Sequence, residues 1–176
     1  IKIANGKSVI LTKNIHAVED CLKLDGDFKG TVFDCGGHTI EFTGGVKTGS
    51  QFLVGNIKNL VIKNCNVEGF ETGVLLFKDS ENVTLINNTI RSCDWGIFLH
   101  SVPIGLDNNH ICGNSYADIS SPYQEVKNTI PGKNYCDKSR GWKDSGVVDG
   151  CTFSCGEKVE EVTGNVKDES LYTENM

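Results

Sequence analysis

Apolar residues along this chain occur in short runs of three to five that asparagine and glycine separate. Such runs are too short for helices, and residues 1–120 show no apolar period near 3.6, so the runs predict β-strands. The runs also recur, because residues 51–73 and 74–96 align without a gap over 23 positions and residues 97–119 form a looser third copy. A repeat of this length with three short strands predicts one coil of a β-solenoid.

A fainter copy precedes these three. At a shift of 27 residues it contains the following matched pairs: Phe33 and Leu60, Gly37 and Asn64, Ile40 and Val67. The extra residues fit the glycine-rich segment around Gly44, Gly45 and Gly49. The repeat therefore begins before residue 51 and contains one insertion.

Stacked coils would place equivalent residues in columns, about 4.8 Å apart along the axis. We expect three inward aliphatic columns: Leu60 and Val83; Ile62, Leu85 and Leu106; Val67, Ile90 and Ile111. Asn64, Asn87 and Asn108 also share one position, and we expect their side-chain amides to form a ladder in a turn. The alternative is that these asparagines are merely exposed turn residues.

Composition limits the classes of function. The 176 residues suffice for one domain, and no apolar run approaches the ~20 residues of a membrane span. The net charge is −6, and the only arginines are Arg91 and Arg140, which argues against nucleic acid or an anionic membrane as partner.

The eight cysteines are spread along the chain: Cys21, Cys35, Cys65, Cys93, Cys112, Cys136, Cys151 and Cys155. An even count favours disulfides and an oxidising compartment over zinc or free thiols, and there is no Cys-x-x-Cys pair. Because the chain begins at Ile1, we expect that a signal peptide was removed. The predicted location is extracellular, at the cell surface.

Several motifs resemble known repeats: Asp34-Cys35-Gly36-Gly37-His38-Thr39-Ile40, Asn59-Leu60-Val61-Ile62-Lys63-Asn64-Cys65, Phe70-Glu71-Thr72-Gly73-Val74 and Asn87-Asn88-Thr89-Ile90. They resemble the right-handed parallel β-helix repeats of the NosD-like and pectate-lyase-like superfamily, above all those of secreted archaeal and bacterial surface proteins. The resemblance covers about residues 20–120. It implies an all-β right-handed parallel β-helix, but it says little about function, because this fold carries many activities.

The same resemblance implies a disulfide between Cys21 and Cys35, which would join neighbouring coils. It also suggests that the four C-terminal cysteines form a disulfide-rich end, in one of three pairings. A bridge between Cys65 and Cys93 is a further option, although these two residues are not equivalent in the repeat.

The predicted organisation is a single β-helix domain, 1–156, of about five coils. Residues 1–30 supply an N-terminal cap and first strand at 8–12, residues 31–120 form the regular coils, and residues 121–156 form a disulfide-rich cap over strand edges that would otherwise be open. Residues 157–176 are a polar tail with six acidic residues and two lysines. We expect this tail to dock on its own domain or on a neighbouring subunit.

We find no catalytic constellation in the sequence. Lyases of this fold class combine acidic calcium ligands with a basic residue, but Asp34, Asp79, Asp94 and Asp107 do not recur at one stacked position. A pair of carboxylates brought together by stacking stays open as an alternative. We predict no catalytic, cofactor-binding or metal site.

Histidines and aromatic residues offer weaker signals. The four histidines are His16, His38, His100 and His110, and no two of them share a column. His38 is predicted to make a structural hydrogen bond. In the repeat alignment, His100 is equivalent to Phe77 of the preceding coil and His110 is equivalent to Thr89. The aromatic candidates for sugar binding are Trp95, Tyr116, Tyr123, Tyr135 and Trp142, but packing within the cap is the favoured interpretation.

Two glycosylation sequons begin at Asn82 and Asn87. Asn87 is a predicted ladder residue and is expected to be inaccessible, so Asn82 is the better acceptor. Glycans are therefore candidate partners, whether attached or bound.

The function that the sequence favours is structural: a self-assembling subunit of an extracellular filament, sheath or surface layer. The alternatives are a carbohydrate-binding or adhesive module, which needs an exposed aromatic strip, and a polysaccharide lyase or epimerase. The expected partner is a second copy of the chain.

Overall fold

A computed structural model describes residues 6–100 and 102–157, so all of the predicted polar tail except Glu157 lies outside the described residues. Within those ranges the chain contains strands and no helix. The strands are β1 (Val9–Ile10), β2 (Ile15–Ala17), β3 (Leu22–Asp34), β4 (Thr39–Phe42), β5 (Gln51–Lys63), β6 (Asn66–Glu68), β7 (Thr72–Leu76), β8 (Glu81–Ile86), β9 (Thr89–Arg91), β10 (Trp95–Leu99), β11 (Gly105–Asp107), β12 (His110–Ile111), β13 (Ala117–Ser120), β14 (Val126–Lys127), β15 (Ser139–Arg140) and β16 (Trp142–Lys143).

The strands wind into a parallel β-helix. All named strand pairs are parallel, and they form a nine-stranded sheet, a five-stranded sheet and a short pair, β14 with β16. Each coil passes along a first face (β7 or β10), a second face (β8 or β11) and a third face (β9 or β12). The predicted all-β parallel solenoid is therefore confirmed.

The helix has about six coils, rather than the five that were expected. The difference arises at both ends. β1 and β2 already pair with β3 and β4, and the region after residue 120 still follows the helical path through β15 and through bridges from His110 to Tyr135 and from Tyr135 to Phe153.

The strand register confirms the aliphatic columns. Leu60 pairs with Val83, Ile62 with Leu85, and Leu85 with Leu106. Val67 pairs with Ile90, which in turn pairs with Ile111. All of these side chains are at most 1% exposed and belong to one continuous core.

The faint first copy is only partly confirmed. Ile40 does pair with Val67, but Phe33 pairs with Ile62 and not with Leu60. The offset between paired residues is 29 at the end of β3, where Asp34 pairs with Lys63, and 27 in β4, where Thr39 pairs with Asn66. The turn at residues 35–38 is therefore two residues longer than the turn at residues 64–65, so a single shift of 27 misplaced Phe33.

The disulfides differ from those implied by the family resemblance. Cys35 is bonded to Cys65, across a Cα–Cα distance of 4.8 Å, so both the Cys21–Cys35 bond and the Cys65–Cys93 bridge are wrong. Cys35 directly follows Asp34 and Cys65 lies two residues after Lys63, and the pairing of Asp34 with Lys63 brings the two cysteines close together in neighbouring coils. Burial raises the pKa of the Cys21 and Cys93 thiols to about 11.

The four C-terminal cysteines do form a disulfide-rich end. Cys112 is bonded to Cys155, and Cys136 is bonded to Cys151. The Cys112–Cys155 bond fixes the irregular end against the regular coils, because Cys112 lies directly after β12 and Cys155 lies in the final described segment. The Cys136–Cys151 bond closes a loop within the irregular end.

Candidate functional site

Six ring-bearing side chains cluster on the outside of the first face: Phe77, Trp95, Phe98, His100, Tyr116 and Tyr123. We call this cluster the aromatic face. Tyr116 and Tyr123 are 68% and 66% exposed, and the other four are partly buried. The alternation of β10 explains the placement, since Ile97 and Leu99 point into the core and Phe98 between them points outward.

The rings form two stacked walls with one ring, Phe98, between them. One wall contains His100 and Tyr123, stacked at 5.2 Å, with Phe77 5.5 Å behind His100. The other wall contains Trp95 and Tyr116, whose centroids are 5.4 Å apart. Phe98 lies between the walls, 5.3 Å from both Trp95 and His100, and stands at 88° to the Trp95 ring.

This arrangement follows from the coil geometry. Rings from successive coils stack along the helix axis, so that the walls run parallel to the axis. Phe98 is nearly perpendicular to the Trp95 ring and is partly exposed. The result is a contiguous, partly exposed set of rings along the first face, a surface suited to a flat ligand with apolar sides.

A groove of about 250 Å³ adjoins the aromatic face at Phe77, and Lys23, Val54 and Asn56 also line it. The Asn56 side-chain oxygen is buried without a hydrogen-bond partner among the described residues. Most lining surface of this groove is apolar, and its polar lining residues are Lys23, Asp25 and Asn56. Apolar walls with few polar groups are typical of small-ligand sites.

The predicted asparagine ladder is present on the surface. Asn108 donates to Asn87 at 3.2 Å, Asn87 donates to Asn64 at 2.8 Å, and Asn64 donates to the Asp34 carboxylate at 2.9 Å. The hydrogen bonds from Asn64 and from the Gly36 N–H hold the pKa of Asp34 below its ordinary value. Asn87 is exposed, however, so the expectation that it would be inaccessible is wrong.

All three ladder residues have positive φ, between 51° and 56°. Asparagine tolerates this left-handed conformation better than most residues with a side chain, which suits it to the corner between the second and third faces.

Asn82 belongs to a second exposed ladder. It donates to Asn59 at 2.7 Å, and Asn59 donates to Asp27 at 2.8 Å, a bond that lowers the Asp27 pKa. Asn82 is exposed, as an acceptor for a glycan must be, but its amide nitrogen already takes part in a hydrogen bond. Glycosylation at Asn82 stays a prediction.

A third ladder lies in the core, and the sequence reasoning missed it. Asn88, Asn109 and Asn134 are at most 3% exposed, and each donates to the next, ending on the buried Asp144 carboxylate. The doublets Asn87-Asn88 and Asn108-Asn109 carried a signal, since the second asparagine recurs as regularly as the first. Asn134 and Asp144 lie in the irregular end, where no repeat marks them.

The carboxylates considered for catalysis do not form a close pair. Asp34 and Asp107 share one column through Lys63 and Ile86, contrary to the expectation that none of the four recur at one position. Three strand spacings separate them, about 14 Å, which exceeds the separation that glycoside hydrolysis needs. Asp94 lies 3.6 Å from the Lys47 ammonium group, and Asp79 lies in a separate turn.

The histidines take separate positions. His16 contacts Glu41 at 2.6 Å, His38 lies 3.3 Å from the Asn14 side chain, and His110 pairs with Thr89. Within the described ranges, no three His, Cys, Asp or Glu residues come together as metal ligands would.

Cap packing accounts for only one of the five aromatic candidates in full. Trp142 is completely buried. Trp95, Tyr116 and Tyr123 belong to the aromatic face, while Tyr135 stacks between His110 and Phe153 at 5.3 and 4.9 Å. Packing within the cap, the favoured interpretation, was therefore wrong for Tyr116 and Tyr123. These two rings stack on rings of the preceding coil at the outer surface, where they stay exposed.

In the described part of the chain, no helix is long and apolar enough to cross a membrane. Comparison of the sequence with family models and with curated proteins, and of the structure with solved structures, gave no match.

Proposed function

We propose that this chain is an extracellular β-helix module that binds carbohydrate on its aromatic face. The observation that carries the proposal is the cluster of contacting rings on one outer face, in which Tyr116 and Tyr123 are largely exposed. A pyranose ring has apolar C–H faces and a polar rim, so that it can lie on aromatic surface while its hydroxyl groups stay in water. An aromatic surface that is exposed to solvent suits such a ligand better than it suits a fully apolar one.

The extracellular location and the kinship with NosD-like surface repeats belong to the same proposal. Three disulfides are compatible with an oxidising compartment. The parallel coils and the Asp34-Cys35-Gly36-Gly37-His38 motif agree with that family. Both support the interpretation that the module acts at a cell surface.

The test is a titration of the protein with neutral hexasaccharides (cellohexaose, mannohexaose, xylohexaose and chitohexaose), followed by tryptophan fluorescence. The two tryptophans differ, since Trp95 is partly exposed on the aromatic face and Trp142 is buried. A bound sugar should change the Trp95 signal and protect it from acrylamide. Tyr123→Ala should weaken binding at least tenfold, because one stacking surface is lost.

Val148→Ala is the matched control, since Val148 is 93% exposed and lies outside the aromatic face. This variant should bind as the wild type does. Absence of binding to every hexasaccharide, or equal weakening by Val148→Ala, would reject the proposal.

The second candidate is self-assembly into a filament or layer. The observation that favours it is the first coil, where Ile10 and Val18 are 68% and 71% exposed and Val46 nearby is 73% exposed. β1 is the outermost strand of the nine-stranded sheet, so its outer edge pairs with no other described strand. Exposed edges and apolar side chains favour end-to-end association with a second copy.

Negative-stain electron microscopy of unreduced protein tests the second candidate. Regular filaments that disappear in an Ile10→Lys/Val18→Lys variant would support end-to-end assembly. Dispersed monomers at high concentration would reject it and leave glycan binding as the function.

A further inference from the structure

A second concave site lies on the opposite side of the helix from the aromatic face. It is a groove of about 420 Å³ lined by Asp107, Asn108, Pro131, Lys133, Tyr135 and Phe153, and we call it the ladder groove. Phe98 pairs with Ser120 one coil later, and Asn108 lies about midway between them in the chain. Half a coil of separation places the two sites on different sides of the molecule.

The surface ladder ends in this groove. The amides donate in one direction, from Asn108 towards Asp34, so each side-chain oxygen except the last accepts from the next coil. The Asn108 side-chain oxygen accepts no hydrogen bond from any residue that the structure describes. A chain of aligned amides polarises its terminal groups, which makes this oxygen a good acceptor for a ligand hydroxyl.

The rest of the groove supplies charges of both signs and a ring surface. The Asp107 carboxylate accepts a hydrogen bond from the Lys133 backbone N–H at 3.4 Å. The Lys133 ammonium group lies 6.0 Å from the Phe153 ring centre. Tyr135 stacks on Phe153 at 4.9 Å. One carboxylate and one ammonium group balance, so the groove favours a neutral ligand that offers both donors and acceptors.

We propose that the ladder groove is a second saccharide site and that the monomer cross-links two neutral glycan chains. The inference rests on the proposed function of the aromatic face and extends it. A neutral hexose matches the groove, since its hydroxyl groups donate to Asp107 and Asn108, its oxygens accept from Lys133, and its C–H groups contact the edges of the stacked Tyr135 and Phe153 rings. The volume lies within the range of small-ligand sites. Two sites on opposite sides cannot serve one short chain, so they bind separate chains.

The experiment combines calorimetry with bead agglutination. The probe is whichever neutral hexasaccharide of the four binds wild-type protein most tightly, used free in calorimetry and coupled to beads for agglutination. Wild-type protein should bind two molecules and agglutinate the beads as a monomer, with the monomeric state checked by sedimentation. Asn108→Gly/Lys133→Ala should reduce the stoichiometry to one and abolish agglutination.

The variants are chosen so that the fold survives. Asn108 has a φ of 51°, which glycine adopts without strain, and Lys133 is exposed. Tyr123→Ala is the reciprocal variant, and it should also bind one molecule and fail to agglutinate.

The outcomes separate the two proposals. A wild-type stoichiometry of one that only Tyr123→Ala abolishes would overturn the ladder groove and leave the aromatic face intact. Binding that only Asn108→Gly/Lys133→Ala abolishes would overturn the aromatic face and the cross-linking with it. Absence of binding to all four hexasaccharides would reject both.

Discussion

Asparagine is used in two ways, and burial distinguishes them. At the surface, Asn64, Asn87 and Asn108 combine a left-handed backbone with a side-chain amide that reaches the next coil. In the core, Asn88 and Asn109 use the same amide to satisfy backbone groups at a corner, including the Cys65 N–H and the Leu85 carbonyl. The buried amides replace water that cannot reach these groups, so they matter more for stability.

We therefore predict that Asn109→Ala lowers the free energy of unfolding by about 2–3 kcal/mol. The variant leaves the Asn88 N–H and side-chain amide without their acceptor, and it removes the donor to Leu85 and Asn134. Asn87→Gly is the control, because glycine keeps the positive φ and only the exposed amide is lost, at a cost of about 1 kcal/mol or less. Urea unfolding measures both, and equal losses would contradict a special role for the buried ladder.

At the residue scale, the sequence predicted the aliphatic columns because apolar residues recur at fixed spacing. It also predicted the surface ladder of Asn64, Asn87 and Asn108, but it missed the buried ladder. Adjacent residues in a doublet such as Asn87-Asn88 face opposite environments, and both are polar, so hydrophobicity does not distinguish them. The Cys35–Cys65 bond was missed because the motif suggested an upstream partner, whereas the register sets the two strand ends side by side.

Among the elements, β5 shows how two faces of a coil join. It runs from Gln51 to Lys63, and its first part pairs with β7 while its second part pairs with β8. The bend falls at Gly55, which has a φ of 150° and lies against the Leu24 backbone. In later coils the chain leaves the sheet at this corner, so β7 and β8 are separate strands.

Gly55→Ala should destabilise the protein by about 3 kcal/mol or more. A Cβ atom there would lie 1.6 Å from the Leu24 carbonyl oxygen, so the backbone of β3 or β5 must move, and the φ is one that side chains rarely adopt. Gly45→Ala is the control, since its Cβ meets nothing within 4 Å and its φ is ordinary, and we expect a change within about 0.5 kcal/mol. Soluble yield and thermal unfolding report on both, and a stable Gly55→Ala variant would show that β3 adapts.

Strand positions within the repeat were predictable because the pattern alternates and recurs. The irregular strands β14 to β16 could not be predicted, because segments such as Val126–Lys127 and Trp142–Lys143 have two residues and belong to no repeat. Contacts from the solenoid and two disulfides hold them in place, and such tertiary constraints leave little local signal. The aromatic face was visible as residues but not as a site, because its geometry needs rings from three coils.

In the whole molecule, each coil contacts mainly its neighbours, so stability is close to a sum of coil and interface contributions. Unfolding can then begin at an end, where a coil has only one neighbour. The disulfides are near these two ends. Cys35–Cys65 joins coils near the start, and Cys112–Cys155 and Cys136–Cys151 hold the irregular end. The ladder groove depends on that end, because Lys133, Tyr135 and Phe153 all belong to it.

Removal of the Cys136–Cys151 bond should therefore loosen the C-terminal end alone. The bond closes a separation of 15 residues, for which chain entropy gives about 3 kcal/mol, so amide exchange in 128–155 should accelerate about a hundredfold in Cys136→Ser/Cys151→Ser. Amides of β5 to β10 should stay protected, since their neighbours on both sides persist. Cys35→Ser/Cys65→Ser is the reciprocal control and should accelerate exchange near β2 to β4 instead. Uniform acceleration along the chain in both variants would show that the helix unfolds as one cooperative unit, and the groove could then not be lost independently of the aromatic face.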